Sequence, residues 1–224
     1  KLNTNTVPVR SIPGRSHEFV GHNHILKCLQ KLNLPPNPMQ LIMNLVSSNI
    51  IQIETLTGRT KPIEIKRGVA QGSPLSPLLF NLSINFIIND LTEKYVSDKY
   101  GYQIDPQLDN LSPMAFADDL VVIGKNIEST TALISIAELG LLSIGLHLNL
   151  AKSKAINIIN GALSPNSVIT ANHGNIISIE NTECIKYLGI NFNVEIKFNQ
   201  FKFIKKLQDN LQLLVSTVLL KSDQ

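Results

Sequence analysis

Two adjacent aspartates, Asp118 and Asp119, interrupt an apolar run that reads Ala115-Phe116-Ala117 before them and Leu120-Val121-Val122-Ile123 after them. Burying one ionised carboxylate without compensation is costly, and a like charge beside it raises the cost. Such a pair makes sense at a tight hairpin facing divalent cations that neutralise both charges. Two-metal phosphoryl transfer uses carboxylates in this way, clamping cations roughly 3.5–4 Å apart. A plain surface turn between two strands also accounts for the pair, because aspartate is a common turn residue.

A second segment carries different chemistry. Arg67 to Asn81 reads RGVAQGSPLSPLLFN. Gly68, Gly72 and the prolines describe a shaped loop with room for another backbone to approach closely. Gln71 and Ser73 offer hydrogen bonds within it. Ser76 is a good N-cap and Pro77 suits the first turn of a helix. Phe80, Ile84, Ile87, Ile88, Leu91 and Tyr95 then recur at helical spacing, to about Val96. An ordinary strand-to-helix connection explains the prolines and the cap, but not the grouping of Gln, Gly and Ser ahead of them.

Positive charge is only mildly in excess, at +3 over 224 residues, so net charge does not point to nucleic acid. It is grouped, however: Arg59, Lys61, Lys66 and Arg67 lead into the Gln71 loop, and Lys197, Lys202, Lys205 and Lys206 lie near the end. Such groups neutralise phosphates or simply form solvated faces. Cys28 and Cys184 imply no disulfide framework. His17, His22 and His24 match no standard zinc spacing. No signal peptide is visible at Lys1, and the apolar stretch Thr131 to Leu146 contains Glu138 and is too short to span a bilayer.

The elements that must position these groups are legible in outline. Lys1 to Arg15 has little periodicity and reads as loose. Helices are expected over His24–Leu32 and Pro38–Ser47, with Asn37 capping the second. Ile51, Ile53 and Thr55, then Ile63 and Ile65, alternate with polar residues around a Thr57-Gly58 turn. After the Asp118-Asp119 hairpin come a helix from about Ser129 to Ile144, short strands between Lys154 and Phe192, and a helix over Lys197–Leu220. Strands alternating with two helices packed on one face suit an α+β palm of the split βαβ type.

Four segments, in order, resemble the reverse transcriptase domain of non-LTR retrotransposons. They are Arg67 to Asn81; Phe116-Ala117-Asp118-Asp119, with Phe where many relatives have Tyr; Gly145 to Ile158, reading GLHLNLAKSKAINI; and Cys184 to Phe192, reading CIKYLGINF. The resemblance implies a palm with a ferredoxin-like sheet, partial fingers and the start of a thumb. On that basis residues 1–23 are a degenerate, loosely structured start of the palm. Residues 24–66 are the fingers and palm helices with a hairpin, 67–192 the palm with its motifs, and 193–224 the start of the thumb. The ending Lys205 to Gln224 also resembles the thumb entry of elements that insert into ribosomal RNA genes.

Residue roles follow from the same likeness. Asp118 and Asp119 are implied as catalytic metal ligands for two Mg²⁺ ions, with Mn²⁺ as a possible substitute, and Lys152 lies near the incoming nucleotide. Gln71, Gly72, Ser73 and Pro74, with Phe116 and Ala117, are implied to position template and nucleotide. Phe19 matches the aromatic that screens the sugar 2′ position. Tyr187, Leu188 and Gly189 form the core of the primer grip. Implied partners are an RNA template, a DNA primer and deoxynucleoside triphosphates, with no membrane and an intracellular, nuclear setting.

The likeness breaks at one place. The family's palm begins with a strand bearing its first metal-binding aspartate, but Ser16 to His22 reads SHEFVGH and Gly14 stands where that aspartate belongs. No aspartate precedes Asp90, and Glu18 is the only nearby carboxylate, out of register. The expectation is an RNA-directed DNA polymerase domain with impaired activity. The alternative is an inactive retroelement remnant that at most binds nucleic acid.

Overall fold

The computed structural model describes residues 4–7, 20–47, 49–70, 72–188 and 190–192, the first and last of these by their backbone. They fall into two compact units, 1–181 and 182–224. The first begins with β1 (Thr4–Val7), α1 (His22–Lys31) and α2 (Pro36–Ser47). Four short strands follow: β2 (Ile50–Ile51), β3 (Glu54–Thr55), β4 (Gly58–Arg59) and β5 (Ile63–Glu64). Then come α3 (Leu75–Thr92), α4 (Lys94–Tyr100), β6 (Pro113–Phe116), β7 (Asp119–Gly124) and α5 (Ile127–Ser143). The unit closes with β8 (Ile156–Ile159), β9 (Ala162–Leu163), β10 (Val168–Ala171) and β11 (Gly174–Ile177). In the second unit β12 (Ile185–Tyr187) and β13 (Ile190–Phe192) pair as an antiparallel hairpin.

The main sheet has the order β6-β7-β1-β8-β9, with every neighbouring pair antiparallel. Its middle strand is the least expected. Thr4–Val7, inside a stretch that reads as loose, pairs on one side through Asn5↔Gly124, Thr6↔Ile123 and Val7↔Val122. On the other side it pairs through Thr4↔Ile158, Asn5↔Asn157 and Thr6↔Ile156. Two threonines and a valine suit a strand by their branched Cβ atoms. Four residues are too few to show a period, however, and only the two distant partners make the strand.

Along β7, Leu120, Val121, Val122 and Ile123 are all buried. A continuous buried run marks a strand covered on both faces. Leu120 and Val122 join the main core with Ile84, Ile87 and Leu91 of α3 and with Leu133, Ile134 and Leu141 of α5. α1 adds Ile25 and Leu29, and the β10–β11 hairpin adds Ile169 and Ile176. Glu138, buried on α5, accepts the Asn172 N–H at 2.6 Å and lies 3.6 Å from His173 Nδ1. That carboxylate pins the helix to the turn between β10 and β11.

Helix boundaries differ from the sequence expectation for local reasons. α5 starts ahead of Ser129 because Asn126 is its N-cap and accepts the Ser129 N–H at 2.8 Å. α2 begins at Pro36, whose fixed φ suits a first helical position, and Asn37 lies inside the first turn. α1 begins at His22, capped in position by Gly21. The helix expected to run on to Val96 breaks at Glu93, which is extended (ψ 134°). Ser97 of α4 donates to the Asn110 carbonyl at 2.6 Å, holding the new helix on its following loop. Tyr95 is consequently 66% exposed and leaves the apolar face. In the small hairpin Thr55 pairs with Gly58, so the turn is Leu56-Thr57 and Gly58 opens β4.

Candidate functional site

β6 and β7 close through a two-residue turn: Phe116 pairs with Asp119, leaving Ala117 and Asp118 at the tip. The expected hairpin is therefore present. Ala117 sits at φ 51°, a left-handed conformation that costs an L-residue roughly 1–2 kcal/mol. Asp118 and Asp119 are each half-buried, and Phe116 beside them is 63% exposed. The apolar residues that follow the pair run down β7 into the core, whereas the carboxylates stay at its solvent end. The environment changes along the strand, from the half-buried pair at the tip to the fully buried residues of β7.

β1 runs beside β7 toward this tip. Val7 lies opposite Val122, and Asp119 is three residues further along β7, roughly 10 Å at a strand's rise. A two-cation cage needs carboxylate on both sides of the metals, since one ligand must bridge them. Lys1 to His17 contain no carboxylate at all. Among the described residues no group of three or more His, Cys, Asp or Glu side chains could hold a metal ion. The described residues alone do not complete the paired Mg²⁺ centre that the resemblance implies.

The loop ahead of α3 is shaped by its own hydrogen bonds. Ser73 N–H is donated to the Ala70 carbonyl at 3.3 Å, and Ser73 Oγ accepts the Leu75 N–H at 3.4 Å. Ser76 is not the cap: it lies inside the helix, which begins at Leu75, and its hydroxyl donates back to the Ala70 carbonyl. Gly72 has φ +85°, and a Cβ built there meets nothing within 4 Å. Its demand is conformational, with no close approach by the chain's own backbone. Gly72 and Pro74 are exposed and Ser73 half-buried.

Other expected site residues lie on separate elements. Lys152 ends a 3-10 turn, Leu150–Lys152, where Asn149 Oδ1 accepts its N–H at 3.2 Å; its side chain is exposed. Tyr187 ends β12, paired with Ile190, and Leu188 follows at φ 47° in the hairpin turn. Phe19, Gln71 and Gly189 lie outside the described residues, as do Gly14, His17, Glu18 and the helix expected over Lys197–Leu220. The sequence expectation did not include Asn126 as a cap and treated Glu138 only as a charge within an apolar stretch, yet both set the position of α5. An Asn directly before an acidic first turn was the available signal for the cap.

A mixed α/β fold presenting an Asp-Asp hairpin at one end of an antiparallel sheet defines the class. Residues 18–192 match the family model described as reverse transcriptase (RNA-dependent DNA polymerase), and the chain belongs to that family. The Pol polyprotein of the type-1 retrotransposable element R2 from Nasonia vitripennis is 26% identical over 83% of this chain. Its counterpart from Popillia japonica is 31% identical over 64%, and that of the type-2 element R2DM from Drosophila melanogaster 28% over 80%. The chain spans only 17–20% of the length of these relatives.

Solved telomerases have a similar fold. One from Candida tropicalis, in complex with a fragment of telomeric RNA, superposes with a TM-score of 0.60 at 14% identity. The match covers 87% of this chain and 29% of that one. One from Candida albicans gives 0.59 at 12%, over 86% and 30%. The helices and small antiparallel sheets are consistent with a palm and fingers arrangement. No helix among the described residues is long and apolar enough to cross a membrane.

Proposed function

We propose that this chain is a retrotransposon reverse transcriptase palm that binds nucleic acid but does not complete the centre for nucleotidyl transfer. One observation carries the reading: the strand beside the Asp118-Asp119 hairpin belongs to a segment, Lys1 to His17, that has no carboxylate to offer. The family match, beginning at residue 18, supports it, since that segment lies outside the match.

In this reading the sheet order β6-β7-β1-β8 suits a split βαβ, ferredoxin-like palm, with β7 between the strands of the β1-to-β6 crossover and β1 between those of the β7-to-β8 crossover. Residues 24–66 are its partial fingers and 193–224 the thumb entry of an element that inserts into ribosomal RNA genes. Gly72, Ser73 and Pro74, with Gln71, line a cleft with Phe116, Ala117 and the aspartates, which Lys152 approaches. Phe19 borders the sugar, and Tyr187, Leu188 and Gly189 contact the primer. Positioning and charge stabilisation supply most of the acceleration in phosphoryl transfer, so a centre lacking one side of its cage loses most of its rate.

The test is a pair of measurements on the whole chain. Anisotropy titration of an RNA–DNA primer–template across a salt series is expected to show affinity falling with salt, because lysine and arginine contacts release counterions. Primer extension with an RNA template, deoxynucleoside triphosphates and Mg²⁺ or Mn²⁺ is expected to show no product. Template-dependent incorporation that Asp118→Asn abolishes would overturn the proposal and make Glu18 the leading third ligand.

A further inference from the structure

A sizeable opening in the first unit has neither aspartate of the hairpin in its lining. Its volume is about 450 Å³, and it is formed by the start of α1, the segment Lys66–Arg67 and the end of α5. That size falls within the range of about 300–1,000 Å³ usual for ligand sites. Its lining is not that of an apolar pocket. Lys27, Lys66 and Arg67 reach it, with His22, Asn23 and His24, and no carboxylate is among its described residues.

Tertiary contacts assemble this cluster. His22 Nε2 lies 3.0 Å from the Gly68 carbonyl, and Gly68 N–H is donated to the Val20 carbonyl at 2.8 Å. Gly21 and Arg67 form an antiparallel bridge between them. The connection leading to the Gln71 loop is thereby clamped against the first turn of α1, and Lys66 and Arg67 are brought to the same opening as Lys27. None of these three cations forms an ion pair among the described residues. The facing rim is neutral: Ser143 Oγ donates to the Gly140 carbonyl, and Gly145 N–H to that of Leu142. The first turn of α1 adds the positive end of a helix dipole, with no side-chain cap to occupy it.

We infer that this opening is a binding site for a phosphoryl anion, separate from the Asp118-Asp119 hairpin. Arg67 presents a planar fork that matches two phosphoryl oxygens, while Lys27 and Lys66 act as point charges on the remainder. A tetrahedral, multiply charged group uses all three cations at once; a single carboxylate does not. The group comes either from a small anion such as pyrophosphate or from the backbone of a bound nucleic acid. Burial holds the His24 pKa below its ordinary value, and Lys27 and Lys31 lower it further, against the raising effect of the hydrogen bond to Ser83. An anion in the opening would oppose the effect of the lysines, which makes His24 a reporter of occupancy.

The experiment titrates the whole chain with inorganic pyrophosphate in the presence of EDTA, so that no cation can recruit the anion to the aspartates. Histidine ring-proton resonances are followed by NMR. The expected result is a saturable shift of the His22 and His24 signals and a rise in the His24 titration midpoint. Lys27→Gln/Lys66→Gln/Arg67→Gln is expected to weaken pyrophosphate by about tenfold or more, as befits lost charge-assisted hydrogen bonds. Arg67→Lys alone loses less than Arg67→Gln, and Asp118→Asn loses nothing. Competition by a primer–template duplex identifies backbone phosphate as the source, whereas simultaneous binding identifies a small anion. Histidine signals unmoved at millimolar pyrophosphate would overturn the inference without recourse to any variant, as would unchanged binding by a folded triple variant. Neither outcome bears on primer extension, so failure here is distinct from failure of the proposed function.

Discussion

Gly124, the last residue of β7, is where the sheet meets α5, and Gly124→Ala tests how tightly that junction is set. A Cβ at this position would lie 2.7 Å from Thr130 N and 2.9 Å from Thr130 Cα. Carbon contacts are optimal at about 3.5–4.0 Å, so the helix start must retreat by about 1 Å. Thr130 cannot swing aside: it is fully buried, and its N–H and Oγ1 both donate to the Asn126 carbonyl at 2.9 Å. Overpacking of this kind costs about 1–3 kcal/mol. Disturbing the Asn126 cap adds about 1 kcal/mol. Reduced freedom of the unfolded chain returns about 0.4–1 kcal/mol. The net expectation is a loss of about 2–3 kcal/mol, read in urea unfolding as a lower midpoint at constant m, with Tm lower by about 5–10 °C. A change under about 0.5 kcal/mol, the range of ordinary surface substitutions, would refute the close approach of β7 and α5.

Three further outcomes are expected. Ala117→Gly relieves the left-handed strain at the hairpin tip. That gain is partly offset by unfolded-state entropy, for a net stabilisation of about 0.5 kcal/mol in urea melts; a loss above about 1 kcal/mol would show that the turn needs its methyl group. His24, depressed chiefly by burial, contributes stability that is complete above the unfolded value of 6.5 and is lost as pH falls through the lower folded value. The stability gap between wild type and His24→Gln should therefore narrow from about pH 7.5 to about pH 5, and a constant gap would contradict the depressed pKa. Burial raises the Cys28 pKa, with a Ser83 hydrogen bond and Lys31 acting the other way, whereas Cys184 is exposed. Mass spectrometry after iodoacetamide treatment at mildly alkaline pH should find Cys184 alkylated and Cys28 only after unfolding; equal labelling would place Cys28 at the surface.

What the sequence determined by itself was local. Asp118-Asp119 between apolar flanks predicts a hairpin, because a turn and two short runs need no distant partner. The spacing of Phe80, Ile84, Ile87 and Leu91 predicts α3, because a helix makes its own hydrogen bonds and the core needs only one of its faces. The motif wording also carried the family resemblance. Tertiary structure decided the rest. Thr4–Val7 is a strand only because β7 and β8, far along the chain, satisfy its backbone on both sides. The aspartates look fully buried in sequence and are half-buried, since burial is a property of where β7 ends relative to the core. Lys27 and Arg67 belong to one opening only because Gly68 is clamped against Val20 and His22. Such contacts depend on which segments the fold brings together, and neither composition nor periodicity encodes that.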